Sequence, residues 1–125
     1  MTEAIKMLYI DWSLADYDDT DYFRTFVDYA TDFLFVCGND RVARVHAQAG
    51  DPVFRYQMTY APTESIYKPS FNATWLGAGH GEELQFVFGS PFVPELQYVY
   101  PNTPPEEKAF SVQMMRFWTN FARTG

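Results

Sequence analysis

A single segment limits what this chain can fold into. Residues 53–60, Val-Phe-Arg-Tyr-Gln-Met-Thr-Tyr, set Phe54, Tyr56, Met58 and Tyr60 at alternate positions, with Arg55, Gln57 and Thr59 between them. A period of two marks a strand with one apolar and one polar face. No other stretch reads as a strand so clearly, and a lone strand leaves both of its edges unpaired. An α/β domain, helices packed on a sheet, needs several strands, so either further strands lie elsewhere in the chain or the sheet is incomplete and these residues are a piece of something larger.

Composition supports a packed domain. The chain has 125 residues, 47% hydrophobic and 19% aromatic, enough apolar side chains for a real core. It shows no repeat, low-complexity tract or linker, so one region over residues 1–125 is expected. A net charge of −7 argues against nucleic acid or an anionic membrane as the main partner. The first residues lack a secretory leader's basic and apolar regions, and no run approaches the roughly 18 apolar residues of a membrane span. The one cysteine, Cys37, cannot form an internal disulfide, and no Cys/His cluster has zinc spacing. No metal and no cofactor are expected.

Helices are expected around the strand. A short one lies within residues 1–12. Asp16, Asp18, Asp19 and Asp21 then crowd together, but the sixth and twelfth positions of a calcium loop would be Asp21 and Val27 instead of Gly and Glu. These carboxylates and Thr20 read better as the cap of the next helix. Its inner face would be Tyr22/Phe23, Phe26/Val27, Ala30, Phe33/Leu34 and Cys37, all packed in the core. Thr31 or Asp32 would cap a second helix, Gly38 would interrupt it, and Val42, Val45 and Ala49 would continue to Gly50. Asp40, Arg41 and Arg44 fall on its surface, and His46 beside Val45 reads as an ordinary helix residue.

Beyond the strand, residues 61–79 form a long irregular connection containing the glycosylation sequon Asn72-Ala-Thr. A short helix is expected over Glu82–Phe88, stopped by Gly89-Ser-Pro91. The last helix would start with Thr103 as N-cap, a proline in its first turn and Glu106 closing a capping box. Phe110, Met114, Phe117/Trp118 and Phe121 would form its buried stripe, with Arg116 and Arg123 outside.

The stretch with most chemical interest is Trp75-Leu-Gly-Ala-Gly-His80-Gly-Glu-Glu83-Leu-Gln-Phe86-Val-Phe88-Gly89. Gly77, Gly79 and Gly81 allow sharp turns and positive φ, so the loop can aim an imidazole. An imidazole's ordinary pKa of about 6.5 lets it take up and return a proton near neutral pH. On the residues alone, His80 reads either as such a group or as a structural histidine in a turn.

This stretch, together with Met115-Arg-Phe-Trp118-Thr-Asn120-Phe-Ala-Arg123-Thr-Gly125, resembles the type-B carboxylesterases, the family that includes cholinesterases. Tyr9-Ile-Asp-Trp12 and Asp32-Phe-Leu-Phe-Val-Cys37 resemble the family's preceding segments in the same order. The resemblance implies the C-terminal part of a single α/β-hydrolase domain. It makes His80 the histidine of a Ser-His-Glu triad, Glu83 a supporting carboxylate and Trp75 either a residue beside the pocket or one of the core. The serine elbow, the oxyanion glycines and the triad glutamate would lie N-terminal to these residues, so this chain alone is expected to be inactive.

The family's cysteine at position 37 would pair with one beyond Gly125, and the family's usual location implies secretion with a glycan on Asn72. Two departures stand out: Gly38 where many relatives have proline, and Glu82 where they have an aromatic residue or aspartate. The expected activity is hydrolysis of a small-molecule ester. The alternative is a cholinesterase-like adhesion or scaffold protein, similar to neuroligins, that has lost the serine and binds a protein partner. A truncated, inactive product would instead aggregate through its unpaired strand and apolar helix faces.

Overall fold

A computed structural model of the chain describes residues 2–13, 18–65 and 77–125. These fall into two compact units, Met1–Arg55 and Tyr56–Gly125.

The first unit is helical. Helix α1 spans Glu3–Tyr9 and α2 spans Asp19–Thr31. Asp18 opens α2 as the spacing suggests: its carboxylate accepts from the Asp21 N–H at 3.0 Å, and the Asp21 carboxylate accepts from the Asp18 N–H at 3.1 Å. Reciprocal bonds of this kind satisfy amides that a helix start leaves without intrahelical partners.

Two helices were expected after Asp21, and the structure differs. The chain continues from α2 through a π-helical segment, Asp32–Val36, into α3, Cys37–Ala49. Thr31 keeps helical angles, φ −60° and ψ −49°, so no helix start is created for Thr31 or Asp32 to cap. The wide turn is visible in the Cys37 N–H bonding to the Asp32 carbonyl, five residues back. Asp32 instead receives the Tyr9 hydroxyl at 2.8 Å, and Tyr29 stands edge-on to Tyr9 and stacked on Phe33. Gly38 does not interrupt the helix. A glycine within a helix costs only about 1 kcal/mol. The helix ends at Gly50, which takes φ 90° as its left-handed cap.

The apolar face running from Tyr22 through α2 into the π-helical segment is not the core that its periodicity suggests. Phe26 is 53% exposed and Leu34 64%, and Tyr22, Phe23 and Phe33 are exposed too. Among the described residues of this unit, burial is confined to Ile10 and Thr25. Helical spacing fixes which residues share a face, while burial requires a second surface against it.

Residues 53–60 correct the starting expectation. They belong to neither helix nor strand, and no strand occurs among the described residues. A strand exists through its ladder, and alternation of side chains supplies no partner. Tyr60 is used differently, as part of an aromatic cluster in the second unit.

That unit is built on two helices, α4 (Leu84–Val87) and α5 (Pro105–Thr124), joined through short 3₁₀ turns at Ser90–Phe92 and Pro94–Leu96. Phe86 has no solvent exposure, and its ring meets Phe110 edge-on at 4.9 Å with Tyr60 beside both. Gly89 turns at φ 67°, and a Cβ there would stand 3.0 Å from the Met115 sulfur, so glycine lets the turn lie against α5.

Helix α5 starts one residue later than expected. Pro104 is its N-cap and Pro105 its first residue, without a side-chain cap. Thr103 does not close a box with Glu106; its hydroxyl donates to Glu64 at 2.9 Å, and the same carboxylate takes the Asn102 N–H at 2.8 Å. The buried stripe also differs. Met114 is buried and Phe110 half-buried, but Phe117, Trp118 and Phe121 are exposed, and Glu107 and Ser111 are buried instead. Glu107 accepts from the Tyr60 hydroxyl at 2.9 Å and the Thr63 N–H at 2.6 Å. Ser111 donates to the Phe86 carbonyl at 2.8 Å.

The bond to Glu107, followed by burial, raises the Tyr60 pKa above its ordinary value. A raised phenol pKa stabilises the fold below the unfolded value of about 10, and that contribution is lost as pH rises through the folded value. Denaturant unfolding followed from neutral to strongly alkaline pH should show stability falling above about pH 10, and Tyr60→Phe should remove part of the fall. Tyr9 and Tyr56, also raised, contribute with the same sign.

Candidate active site

His80 occupies a turn that leads directly into α4. The loop before it does not use all three of its glycines alike. Gly81 adopts φ 83°, whereas Gly77 and Gly79 stay outside the positive region. Gly79 makes no such demand: the Glu82 side chain folds back to 3.6 Å from where a Cβ would stand, an ordinary van der Waals distance.

Glu82 is buried, and its carboxylate accepts from the Gly79 N–H at 2.9 Å. Its own N–H donates to the Gly79 carbonyl at 3.2 Å, and the Leu84 N–H donates to the Gly81 carbonyl at 3.2 Å. His80 is exposed in the middle of these bonds. The imidazole is thus presented to solvent on a backbone tied down on both sides.

Glu83 is half-buried beside Tyr56. The Tyr56 pKa is raised, first by burial and then by the Glu83 charge, with a hydrogen bond from Trp118 acting in the opposite direction. The Tyr56 and Trp118 rings meet edge-on at 6.0 Å. This places the expected supporting carboxylate in an aromatic corner with two residues that sequence spacing did not connect to it. The bond from the Gly79 N–H to Glu82 was equally unanticipated, although Gly79-x-x-Glu82 has the spacing of a capping box.

Trp75 and Asn72 lie outside the described residues. Cys37 is an exposed thiol on α3. The His46 Nδ1 lies 2.8 Å from the Asp51 carboxylate, which links the end of α3 to the turn after it. Asp40 pairs with Arg44 at 2.6 Å and with Arg55. The Arg44 bond, the larger cause, and the nearby Arg55 charge lower the Asp40 pKa. Among the described residues no cluster of three or more His, Cys, Asp or Glu side chains could hold a metal, and no helix is long and apolar enough to cross a membrane.

A profile of the carboxylesterase family matches residues 1–125, the whole chain. The chain belongs to the carboxylesterase family. It is 38% identical to carboxylesterase 4A of Bos taurus over its full length, which is 22% of that protein. It is 34% identical to acetylcholinesterase of Bungarus fasciatus, with 99% of this chain and 19% of that protein aligned. Neuroligin-3 of Mus musculus is 34% identical over the whole chain and 14% of its own length. This carboxylesterase-family chain therefore spans 14–22% of the length of these three relatives. No solved structure matches it.

The two site glycines should respond differently to a methyl group. At Gly81, φ 83° makes an L-residue strained by about 1–2 kcal/mol. At Gly79 the backbone is ordinary and the added carbon meets Glu82 at normal van der Waals distance. Thermal unfolding should show a clear loss for Gly81→Ala and a smaller one for Gly79→Ala; equal losses would contradict this account of the turn.

Proposed function

We propose that this chain is the histidine-bearing C-terminal part of a carboxylic-ester hydrolase, within one α/β-hydrolase domain whose sheet the described residues do not contain. The observation that carries the reading is the placement of His80, solvent-exposed on a turn fastened at Gly79, Gly81 and Glu82, in a chain of the carboxylesterase family. The nucleophilic serine and the acidic triad member come from residues outside 1–125.

In this reading the His80 imidazole removes the proton from the serine hydroxyl as its oxygen attacks the ester carbonyl. The same ring then protonates the departing alcohol, leaving an acyl-enzyme, and water releases the acid by the reverse use of the ring. Glu83 supports the site from its corner with Tyr56, and Trp75 lies beside the substrate pocket. The substrate is a small-molecule ester, and no cofactor takes part. The protein passes through the secretory pathway, carries a glycan on Asn72 and engages Cys37 in a disulfide with a cysteine outside this chain.

A second reading is favoured by one finding: neuroligin-3 matches the same span at the same identity as acetylcholinesterase. A member with a replaced serine would keep this turn and act through a protein partner.

In the complete protein, His80→Ala should lower turnover of a p-nitrophenyl ester by about four orders of magnitude, because triad members act as a unit. Turnover within a few-fold of the parent would reject the assignment. A fluorophosphonate probe separates the two readings, since it labels an activated serine and leaves an adhesion-type member unlabelled. Glycosidase digestion of the secreted protein should reduce its mass, and Asn72→Gln should abolish the part due to that site.

A further inference from the structure

One side chain closes the turn that carries His80. Glu82 is only 5% exposed, and its carboxylate and its amide both bond to Gly79, at 2.9 and 3.2 Å. The pair of bonds joins the residue before His80 to the residue after Gly81, forming a small ring with the histidine at its tip.

Burying a carboxylate is unfavourable unless hydrogen bonds replace its water. An apolar side chain of similar length could occupy the same volume without that cost. What it lacks is an acceptor for the Gly79 N–H, and that acceptor controls the backbone on which the imidazole stands. A Cβ at Gly79 would meet the Glu82 side chain at 3.6 Å, ordinary van der Waals contact, so the arrangement depends on the Gly79 N–H and not on the missing side chain.

We propose that Glu82 is a positioning residue for His80: its buried carboxylate fixes the Gly79–Glu82 backbone and thereby the direction of the imidazole. The proposal rests on the reading of His80 as an acid–base group. Proton transfer depends on a donor–acceptor geometry that a loose turn would only sometimes provide, so loss of the ring should appear in the chemical step.

The test uses the complete protein, a p-nitrophenyl ester and the variants Glu82→Ala, Glu82→Met, Glu82→Gln and His80→Ala. Glu82→Ala and Glu82→Met should lower kcat by about tenfold to a hundredfold, the scale of a misplaced catalytic group, with KM changed little. Glu82→Gln keeps an oxygen acceptor and should stay within a few-fold of the parent. Amide hydrogen exchange at Gly79 should accelerate in the first two variants and not in the third.

If Glu82→Ala fails to fold, Glu82→Met and Glu82→Gln decide the matter by the same criteria. Parental kcat in Glu82→Met, a Glu82→Gln variant as slow as Glu82→Met, or unchanged Gly79 exchange would each overturn the proposal. If His80→Ala loses turnover while the Glu82 variants do not, only the positioning role fails; if His80→Ala keeps turnover, the esterase reading fails and takes this inference with it.

Discussion

The contact between α4 and α5 at Phe86 holds the candidate site to its unit. Complete burial of a phenylalanine contributes about 1.5–3 kcal/mol, more than a typical net hydrogen bond of about 1 kcal/mol. Apolar contact is non-directional, however, and a four-residue helix held only by one ring could rotate about it. The Ser111 hydroxyl on the Phe86 carbonyl removes that freedom. Burial supplies most of the attachment and the hydrogen bond supplies its register. Because His80 lies six residues before Phe86, its position inherits that register.

A second polar contact on the same face of α5 has a related effect. Glu107, one helical turn before Ser111, gathers the Tyr60 hydroxyl and the Thr63 amide. The stripe of α5 that faces inward is thus Glu107, Phe110, Ser111 and Met114. Periodicity made Phe110 and Met114 legible, because apolar residues three and four apart share a face. It could not make Glu107 and Ser111 legible. A glutamate or serine at a helical position reads as solvent-facing until its partners are known, and here they come from residues more than 20 positions away. The turn before α4 was legible for a local reason, since its glycines and its histidine lie within a few residues of each other, but the bond from the Gly79 N–H to Glu82 was not anticipated.

The same contrast explains the first unit. The acidic residues before Tyr22 announced a helix start, and Asp18 and Asp21 provide it with two local bonds. Thr31, Asp32 and Gly38 announced a break that does not occur, because capping residues act only where the backbone leaves the helix. Thr31 does not leave it. Alternation at residues 53–60 announced a strand, but a strand needs a neighbour, and no ladder forms among the described residues. The Asp18 and Asp21 signal succeeded because the backbone does leave the helix there, whereas a cap without a helix end, or an alternating segment without a neighbouring strand, has nothing to act on.

Exposure and fixation are combined at His80 by separating two tasks between neighbouring side chains. In the proposed role the His80 ring has to be reachable from solvent, and it is exposed. Glu82 and Phe86 are buried in its place, one gripping the turn and the other anchoring the helix that follows. Gly81 makes this division feasible: its positive φ reverses the chain immediately after the histidine, so Glu82 turns inward while His80 stays outside. An L-residue at that position would have to bear the strain of the reversal or straighten the turn, and straightening it would separate Glu82 from Gly79. The glycine, the buried carboxylate and the exposed imidazole are therefore one arrangement, in which each depends on the backbone the others impose.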